Sequence, residues 1–265
     1  MRCSVLASGS TGNAIYVETD HTRILLDAGI GLRQLQQAFA AIEVDPATLD
    51  AILVTHEHSD HIKGLAALLR KYDTPIYTSD GTWAHIARLF SEKQEVKPRS
   101  IKAGIPFSLG EFVIEPFALP HDAEEPLGFC VYAQGEKLVL ATDLGYASER
   151  ICTVARGAHT LILESNHDID MLRTGTYPWH LKRRILGDKG HLSNAAAGEC
   201  LLDIVTEDTQ TVYLAHLSQE NNRPEIAKET VATMLSRDVS RTEAIVLRST
   251  SPTAPTALAP VCVAR

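Results

Sequence analysis

The 265-residue chain has no long apolar run, only five cysteines and no excess of basic residues. Its longest apolar runs are strand-sized, as at residues 137–141, so no segment is expected to cross a membrane. The residues after Met1 reach a Ser/Gly turn without a long apolar stretch, which is unlike a signal peptide. The cysteines are scattered and form no Cys-x-x-Cys pair, which favours reduced thiols in a cytoplasmic protein over a disulfide framework.

The net charge of the chain limits the kinds of partner that it is expected to bind. The chain carries 25 Lys+Arg against 33 Asp+Glu, a formal net charge of −8, which disfavours indiscriminate binding to nucleic acid and leaves room for a local basic surface. Hydrophobic residues make up 45% and charged residues 22%, values typical of a globular protein, which excludes disorder as the main state.

The order of predicted elements indicates an α/β fold of two packed sheets with helices outside. Short strands open the chain, strand and helix then alternate, antiparallel strands occupy the middle, and alternation resumes afterwards. We predict a single domain over residues 1–248 and a Ser/Thr/Pro/Ala-rich, extended or mobile tail over residues 249–265. The principal predicted elements are a hairpin at 14–17 and 23–26, helices at 32–41 and 62–71, a buried strand at 51–55, a polar linker at 92–99 and strands within 107–143.

The closest spacing of potential metal ligands follows the buried strand, in the segment Thr55-His56-Glu57-His58-Ser59-Asp60-His61. Residues two apart in an extended segment point to the same side, so His56 and His58 are expected to hold one metal ion together. Asp60 and His61, on the turn into the next helix, are placed to face a second ion. A merely histidine-rich polar loop is the alternative. It is disfavoured because His121, Asp143 and His216 each follow a predicted strand in the same way.

The pattern His-x-His-x-Asp-His, followed by His121, Asp143 and His216, resembles the metallo-β-lactamase-fold hydrolases. The resemblance covers nearly the whole chain and implies a four-layer αββα sandwich with two divalent metal ions at one edge. It implies a first metal site of His56, His58 and His121, a second of Asp60, His61 and His216, and Asp143 as the bridging ligand. Zinc suits these ligands best, and manganese also suits them.

Departures from the other branches favour a compact phosphodiesterase. True β-lactamases carry cysteine where this chain has Asp143, and the interval to His216 is too short for an inserted nuclease domain. Residues 187–194 resemble the Gly-His motif with which tRNase Z-like enzymes present a histidine that is not a metal ligand, here His191. By the same resemblance, Glu164 pairs with that histidine. Taken together, the motifs are most similar to the YycJ/WalJ-like proteins, which implies exonuclease activity on DNA ends.

The predicted substrate contacts lie near His191 and at the first turn. Lys189 is the expected phosphate contact because it lies two residues from His191, and Ser193 and Asn13 are further candidates. The basic run 182–184 next to Tyr177 and Trp179 is either part of a polynucleotide surface or a solvated amphipathic helix with Trp179 in the core.

The sequence therefore predicts a dinuclear metal-dependent hydrolase of phosphodiester bonds, with a metal-bridging hydroxide as nucleophile. Asp60 is expected to orient that hydroxide, and His191, a residue that precedes a helix start, to stabilise the transition state and protonate the leaving oxygen. One alternative is a small-molecule hydrolase of the same fold that acts on a cyclic phosphodiester, thioester or lactone. The other is a binding module that holds metal without catalysis.

Overall fold

A computed structural model describes residues 1–90 and 96–262, apart from the side chain of residue 241. The described residues form two compact units. The first comprises Met1–Ala118, Ala123–Leu127 and Ser251–Pro260, and the second Leu119–Asp122, Gly128–Thr250 and the residues from Val261 on. Residues 92–95 of the predicted linker and 263–265 of the predicted tail lie outside the described residues.

The described ranges contain fourteen strands and ten α-helices. The strands are β1 (Arg2–Ala7), β2 (Ala14–Glu18), β3 (Arg23–Leu26), β4 (Ala51–Leu53), β5 (Ile76–Thr78), β6 (Arg99–Ser100), β7 (Phe107–Leu109), β8 (Phe112–Ala118), β9 (Leu127–Ala133), β10 (Glu136–Ala141), β11 (Thr160–Glu164), β12 (Thr211–Ala215), β13 (Val246–Ser249) and β14 (Ala259–Pro260). The helices are α1 (Leu32–Ala41), α2 (Ser59–Ile62), α3 (Leu65–Lys71), α4 (Asp80–Ile86), α5 (Glu149–Ala155), α6 (Ile169–Thr174), α7 (Trp179–Ile185), α8 (Asn194–Ile204), α9 (Pro224–Leu235) and α10 (Val239–Thr242). Among the described residues, no helix combines the length and apolar character that a membrane span requires.

The first unit is built on a sheet in the order β14-β1-β2-β3-β4-β5-β6. Its strands are antiparallel from β14 to β3 and parallel from β3 to β6. Apolar side chains of α1 pack on this sheet, with Phe39 edge-on to Tyr16 at 5.5 Å between ring centroids. Since β3 and β4 are parallel neighbours, their carboxyl ends lie at the same edge, where the loops after residues 26 and 53 begin.

In the second unit, five strands run in the order β13-β12-β11-β10-β9. Strands β9 and β10 are antiparallel, whereas β10 to β13 are parallel. The central residues of β10, β11 and β12 are apolar. Leu140, Ile162 and Leu214 among them are fully buried, as expected for a sheet covered on both faces. The carboxyl ends of β10, β11 and β12 therefore lie side by side and set the positions of the residues that follow them.

Most predicted elements are present with nearly the predicted bounds, and the helix predicted at 62–71 is the clearest correction. Residue 62 is the last residue of α2, and α3 begins only at Leu65, after Lys63 and Gly64. A Cβ atom at Gly64 would lie 2.1 Å from the carbonyl oxygen of Ile30, and the Gly64 N–H donates to the carbonyl of Ala28 at 2.8 Å. The apolar pattern is continuous, but this close backbone approach ends one helix and starts the next.

The two ends of the described part of the predicted tail lie in paired strands. Ser249 ends β13, and residues 251–260 belong to the first unit, where β14 pairs with β1. The Val5 N–H donates to Thr256 Oγ1 at 2.9 Å, and Ser4 Oγ donates to the Thr256 carbonyl at 2.7 Å. These contacts attach the segment to β1, and its extended or mobile character stays a prediction. The division of the chain at residue 248 stays a prediction.

Candidate active site

The histidine cluster of the first unit begins at His56, three residues after the end of β4. His56 and His61 are buried, and their ring centroids lie 4.1 Å apart. The His58 ring is edge-on to His56 at 4.6 Å, in keeping with the extended backbone (φ −63°, ψ 146°) of His58, which precedes α2. Asp60 and His61 lie on α2, with 3.6 Å between Asp60 Oδ2 and His61 Nε2. All four predicted ligands of this unit therefore lie in one cluster.

A buried carboxylate that the sequence analysis did not identify orients this cluster. Asp27 follows β3 with a left-handed backbone (φ 62°), a conformation in which Asp is enriched among non-glycine residues. Its carboxylate accepts hydrogen bonds from the Thr55 N–H at 2.8 Å and the Thr55 hydroxyl at 2.9 Å, and lies 2.7 Å from His61 Nδ1. The only sequence signal was an acidic residue at the end of a strand, and its significance depends on the pairing of β3 with β4.

Asn13, predicted as a substrate contact, lies buried against the same cluster. Its amide nitrogen lies 3.1 Å from His61 Nε2 and 3.4 Å from Asp60 Oδ2, and its amide oxygen accepts from the Gly9 N–H. The backbone is equally close, since the Asn13 N–H donates to the Asp60 carbonyl at 2.8 Å. These contacts hold Asp60 and His61 in place, and a contact with substrate stays a prediction.

The second unit places its predicted residues at the carboxyl ends of three parallel strands. Asp143 follows β10, Glu164 ends β11 and His216 follows β12. Asp143 Oδ1 lies 3.5 Å from His216 Nε2 and 3.8 Å from His121 Nε2. Asp143 and His216 both adopt left-handed backbone conformations (φ 64° and 54°), uncommon for residues other than glycine and often found at functional sites.

Glu164 connects two histidines of this cluster. Its Oε1 lies 2.8 Å from Nδ1 of His191 and 2.8 Å from Nδ1 of His216. Its Oε2 accepts from the backbone N–H groups of Leu144 and Leu192 at 3.1 and 3.0 Å. The predicted pairing of Glu164 with His191 is thus present, and the contact with His216 is an addition that the sequence did not indicate.

The pKa values of Glu164, His191 and His121 are shifted in different directions, which indicates different roles. Burial disfavours the charged form of Glu164, but the charge and hydrogen bond of His191 and the hydrogen bond from His216 outweigh it and lower the pKa of Glu164 to about 2. Burial also disfavours a charged His191, but Glu164 and Asp143 outweigh it and raise the pKa of His191. Burial lowers the pKa of His121, as required of a neutral metal ligand.

Four predicted ligand histidines share one hydrogen-bonding pattern. Each has its Nδ1 beside an oxygen that can accept from it: Thr55 Oγ1 for His56 at 3.0 Å, Asp27 for His61, the Gly190 carbonyl for His121 at 3.3 Å, and Glu164 for His216. Such partners fix the tautomer of an imidazole and present Nε2 to a metal. The donor set of nitrogen and carboxylate oxygen suits a divalent transition metal.

The remaining predicted contacts lie beside this cluster in the second unit. Lys189 and Tyr146 line a surface depression of about 360 Å³ together with Pro120 and Asp188. Ser193 caps α8, since its hydroxyl accepts from the Ala196 N–H at 3.1 Å. That hydroxyl therefore has a structural role, and its contact with substrate stays a prediction.

The basic run 182–184 divides between structural and surface roles. Lys182 is buried and donates to the carbonyls of Arg173 and Gly175 at 2.7 Å each. Arg184 is exposed and forms two hydrogen bonds with Asp122. Trp179 is 60% exposed, so the alternative that placed its ring in the core is wrong. The helix thus has an aromatic ring at the surface, whereas its single lysine, Lys182, binds the preceding loop.

Comparison with known proteins places the chain in a family. The profile of the beta-lactamase superfamily domain matches residues 22–217. The chain is 42% identical over 254 residues to exodeoxyribonuclease YycJ of Bacillus anthracis, covering 96% of each protein. It is 39% identical over 236 residues to exodeoxyribonuclease WalJ of Streptococcus pneumoniae, covering 88% of each. The metallo-β-lactamase fold protein YhfI from Bacillus subtilis superimposes with a TM-score of 0.73 at 17% identity, over 96% of this chain and 98% of that one.

These findings confirm the expected fold and the expected relatives. The chain belongs to the metallo-β-lactamase superfamily of metal-dependent hydrolases, in the group of the YycJ and WalJ exodeoxyribonucleases.

Proposed function

We propose that this protein is a metal-dependent phosphodiesterase that degrades DNA from its ends. Its relatives over nearly the whole chain are named exodeoxyribonucleases. The observation that carries the proposal is the position of Glu164, whose Oε1 is shared by His191 and His216. One carboxylate thus fixes a ligand-type histidine and a histidine able to transfer protons, with 5.2 Å between their ring centroids. The scattered cysteines support a cytoplasmic location.

The residues of the two units fit divalent metal ions by their chemistry. His56, His58, Asp60 and His61 would act as ligands from the first unit, and His121, Asp143 and His216 from the second. Imidazole and carboxylate ligands, with Nδ1 of the buried histidines held by oxygen acceptors, are typical of zinc and manganese sites. We therefore propose that the protein binds two divalent metal ions, of which zinc suits these ligands best. When bound, they supply Lewis acidity toward the phosphate and toward water.

His191 is the proposed proton donor to the leaving oxygen. Its Nδ1 is engaged by Glu164, which leaves Nε2–H as the transferable proton. Glu164 and Asp143 raise the pKa of His191, which favours its charged form, and a charged ring would stabilise the extra negative charge of the transition state. His191 itself is not proposed as a metal ligand.

Asp60 is the proposed group that orients the attacking water. Its side chain is partly exposed while the neighbouring His61 is fully buried. The Asn13 amide lies beside the Asp60 carboxylate and restricts its rotation. Replacing Asp60 with Asn is expected to abolish turnover while the fold is retained.

Lys189 and Tyr146 are the proposed contacts with the polynucleotide. The ammonium group of Lys189 would bind a phosphate, and the half-exposed ring of Tyr146 in the same depression would stack on a base. Neither contact requires a basic protein, because both are local. The overall charge of −8 is therefore compatible with a nucleic-acid substrate.

The test is a substrate screen on the purified protein, before and after chelation and after reconstitution with zinc or manganese. The substrates are end-labelled single- and double-stranded DNA, RNA, bis(p-nitrophenyl) phosphate and a thioester. Progressive release of mononucleotides from DNA, lost on chelation and restored by metal, is the expected result. Thioester cleavage without turnover of any diester would overturn the proposal in favour of a small-molecule hydrolase.

A variant separates the proton donor from the ligands. His191→Ala is expected to lower kcat by roughly 10²–10⁴-fold with metal content unchanged, because general acid catalysis contributes about that much. His85→Ala is the matched control, since His85 is exposed and contacts only Glu124 among the described ion pairs. Loss of metal in His191→Ala would instead make His191 a ligand.

A further inference from the structure

Two cysteines of the second unit form a close pair away from the candidate active site. Cys152 lies on α5 and Cys200 on α8, helices that pack against each other. Arg156, one turn after Cys152, donates to the carbonyl of Asp203, which lies nearly one turn after Cys200, so the helix faces that carry the two cysteines meet. Neither cysteine is in a disulfide. Forty-seven residues separate them in sequence, so only the tertiary fold brings them together.

The two thiols differ in access. Cys152 is partly exposed and lines a surface cavity of about 490 Å³ together with Glu149, Arg156 and Asp203. Cys200 is buried, with 3% of its surface exposed. An external reagent can therefore reach the first sulfur directly, and the second through the first. This is the arrangement of an attacking thiol and a resolving thiol.

The surroundings favour a thiolate at the accessible position. The hydrogen bond from Cys200, aided by the nearby Arg156 charge and opposed by burial and by Asp203, lowers the pKa of Cys152 to about 7. The same contact raises the pKa of Cys200, which keeps that thiol protonated. Arg156 also donates to the carbonyl of Asp203 at 2.7 Å, and this contact holds α5 against α8 next to the pair.

We propose that Cys152 and Cys200 form a reversible dithiol–disulfide pair, a modification site that reacts with low-molecular-weight disulfides of the glutathione type. The Cys152 thiolate attacks one sulfur of the reagent, forms a mixed disulfide and releases one reduced thiolate. That thiolate takes the proton of Cys200, whose sulfur attacks the Cys152 sulfur and displaces the second reagent sulfur as a thiolate, which takes a proton from water. Two protein thiols are oxidised, and one reagent disulfide is reduced to two thiols.

This modification is independent of the proposed hydrolase activity, because neither cysteine belongs to the candidate active site. The two helices that carry the cysteines are nevertheless connected along the chain to residues of the candidate active site. Helix α8 begins directly after His191-Leu192-Ser193, and α5 follows the loop that leaves Asp143. A covalent bond between the two helices would restrict their relative movement. Its effect on turnover is a separate measurement.

The test uses the full-length protein incubated with oxidised glutathione, followed by alkylation, intact mass analysis and peptide mapping without reductant. The expected result is a protein two hydrogen masses lighter, a Cys152–Cys200 cross-linked peptide, and full recovery of both thiols on reduction. In Cys200→Ser, glutathione is expected to remain attached to Cys152, whereas Cys152→Ser should acquire no adduct at the buried Cys200. Should Cys200→Ser fail to fold, Cys200→Ala and the wild-type map give the same decision.

Cys130→Ser is the matched control. Cys130 is buried beneath α5, with its sulfur 3.7 Å from the carbonyl of Val154, and it is the other cysteine close to that helix. The control variant should form the Cys152–Cys200 disulfide as readily as the wild type. Two thiols that stay alkylatable in excess oxidised glutathione, a stable adduct on Cys152 in the wild type, or a disulfide from Cys152 to Cys130 would each overturn the proposal.

Discussion

At the scale of single residues, the carboxylate of Glu164 is held by four hydrogen-bond contacts in the second unit. Its two oxygens serve two imidazole rings and two backbone N–H groups while it is fully buried. Because an ionised carboxylate only accepts, both rings must present an N–H to it. The tautomers of His191 and His216 are thereby set by one side chain.

Glu164→Gln removes the negative charge at this position and keeps a side chain of nearly the same size. An amide has one accepting oxygen, so its NH₂ group must face either the two histidines or the two backbone donors. We expect kcat/KM for bis(p-nitrophenyl) phosphate to fall by roughly 10²-fold or more, because His191 loses its charge partner. The buried unsatisfied donor should cost about 1–3 kcal/mol of stability. Steady-state kinetics and thermal unfolding measure both effects.

The control for that variant is Glu199→Gln on α8, where the glutamate is exposed. Its activity and unfolding temperature should match the wild type. Activity of Glu164→Gln within twofold of the wild type would show that the shared carboxylate has no part in turnover.

Asp27 has the corresponding role in the first unit, where it positions His61 without a proposed contact to the metal. Partners of this kind typically change metal affinity by 10–100-fold. Asp27→Asn is expected to lower zinc affinity within that range and to regain activity in excess metal. Competition with a chelating dye and activity against metal concentration provide the measurements.

Asp50→Asn is the matched control for Asp27→Asn. Asp50 also accepts a backbone hydrogen bond, from the Arg23 N–H at 2.7 Å, but it is exposed and away from the histidine cluster. Equal losses of metal in the two variants would contradict the role given to Asp27.

At the scale of elements, the loop after β3 approaches α2 as closely as backbone atoms permit. A Cβ atom at Gly29 would lie 1.7 Å from the carbonyl oxygen of Asp60 and 2.6 Å from the backbone nitrogen of Asn13. Two residues on, Gly31 has open space around the same position. The loop therefore tolerates a side chain at one glycine and excludes it at the other.

Gly29→Ala and Gly31→Ala form a matched pair that tests this packing. Gly29→Ala should lower stability by about 3 kcal/mol and weaken metal binding, because Asp60 must move with its backbone. Gly31→Ala should change stability by less than about 1 kcal/mol. Thermal unfolding and metal content measure the pair, and similar values for both variants would contradict the close approach.

At the scale of the whole chain, the two ends of the sequence meet in the first unit. Strand β14 pairs with β1, and Thr256 bonds with both Ser4 and Val5. The backbone N–H of Ser8 donates to the Ser251 carbonyl at 3.0 Å. The C-terminal segment thus completes the edge of a sheet whose other strands are formed before residue 101.

Thr256→Ala should measure the contribution of this closure. It removes the hydroxyl that accepts from the Val5 N–H, at a cost of about 1 kcal/mol, and this should lower the unfolding temperature by about 2–4 °C. Thr253→Ala, at an exposed position of the same segment, is the control and should be neutral. A truncation after residue 250 should destabilise the protein more than Thr256→Ala, and equal stability would contradict the closure.

The sequence by itself determined the family, the order of strands and helices, and the clustering of histidines after β4. These depend on local spacing and apolar periodicity, which a chain carries without its neighbours. Pairing of His191 with Glu164 was also predicted, through a resemblance of motifs rather than through any contact that the sequence displays.

Only the tertiary structure decided the roles of Asp27, Gly64, Cys152, Cys200 and the C-terminal segment. Asp27 reaches His61 because β3 and β4 are parallel neighbours, and Gly64 ends a helix because another backbone occupies the space of its side chain. The helix faces that carry Cys152 and Cys200 meet because α5 packs on α8. Each depends on residues distant in sequence, and the pairing of distant segments is set by the packing of the whole chain rather than by local pattern.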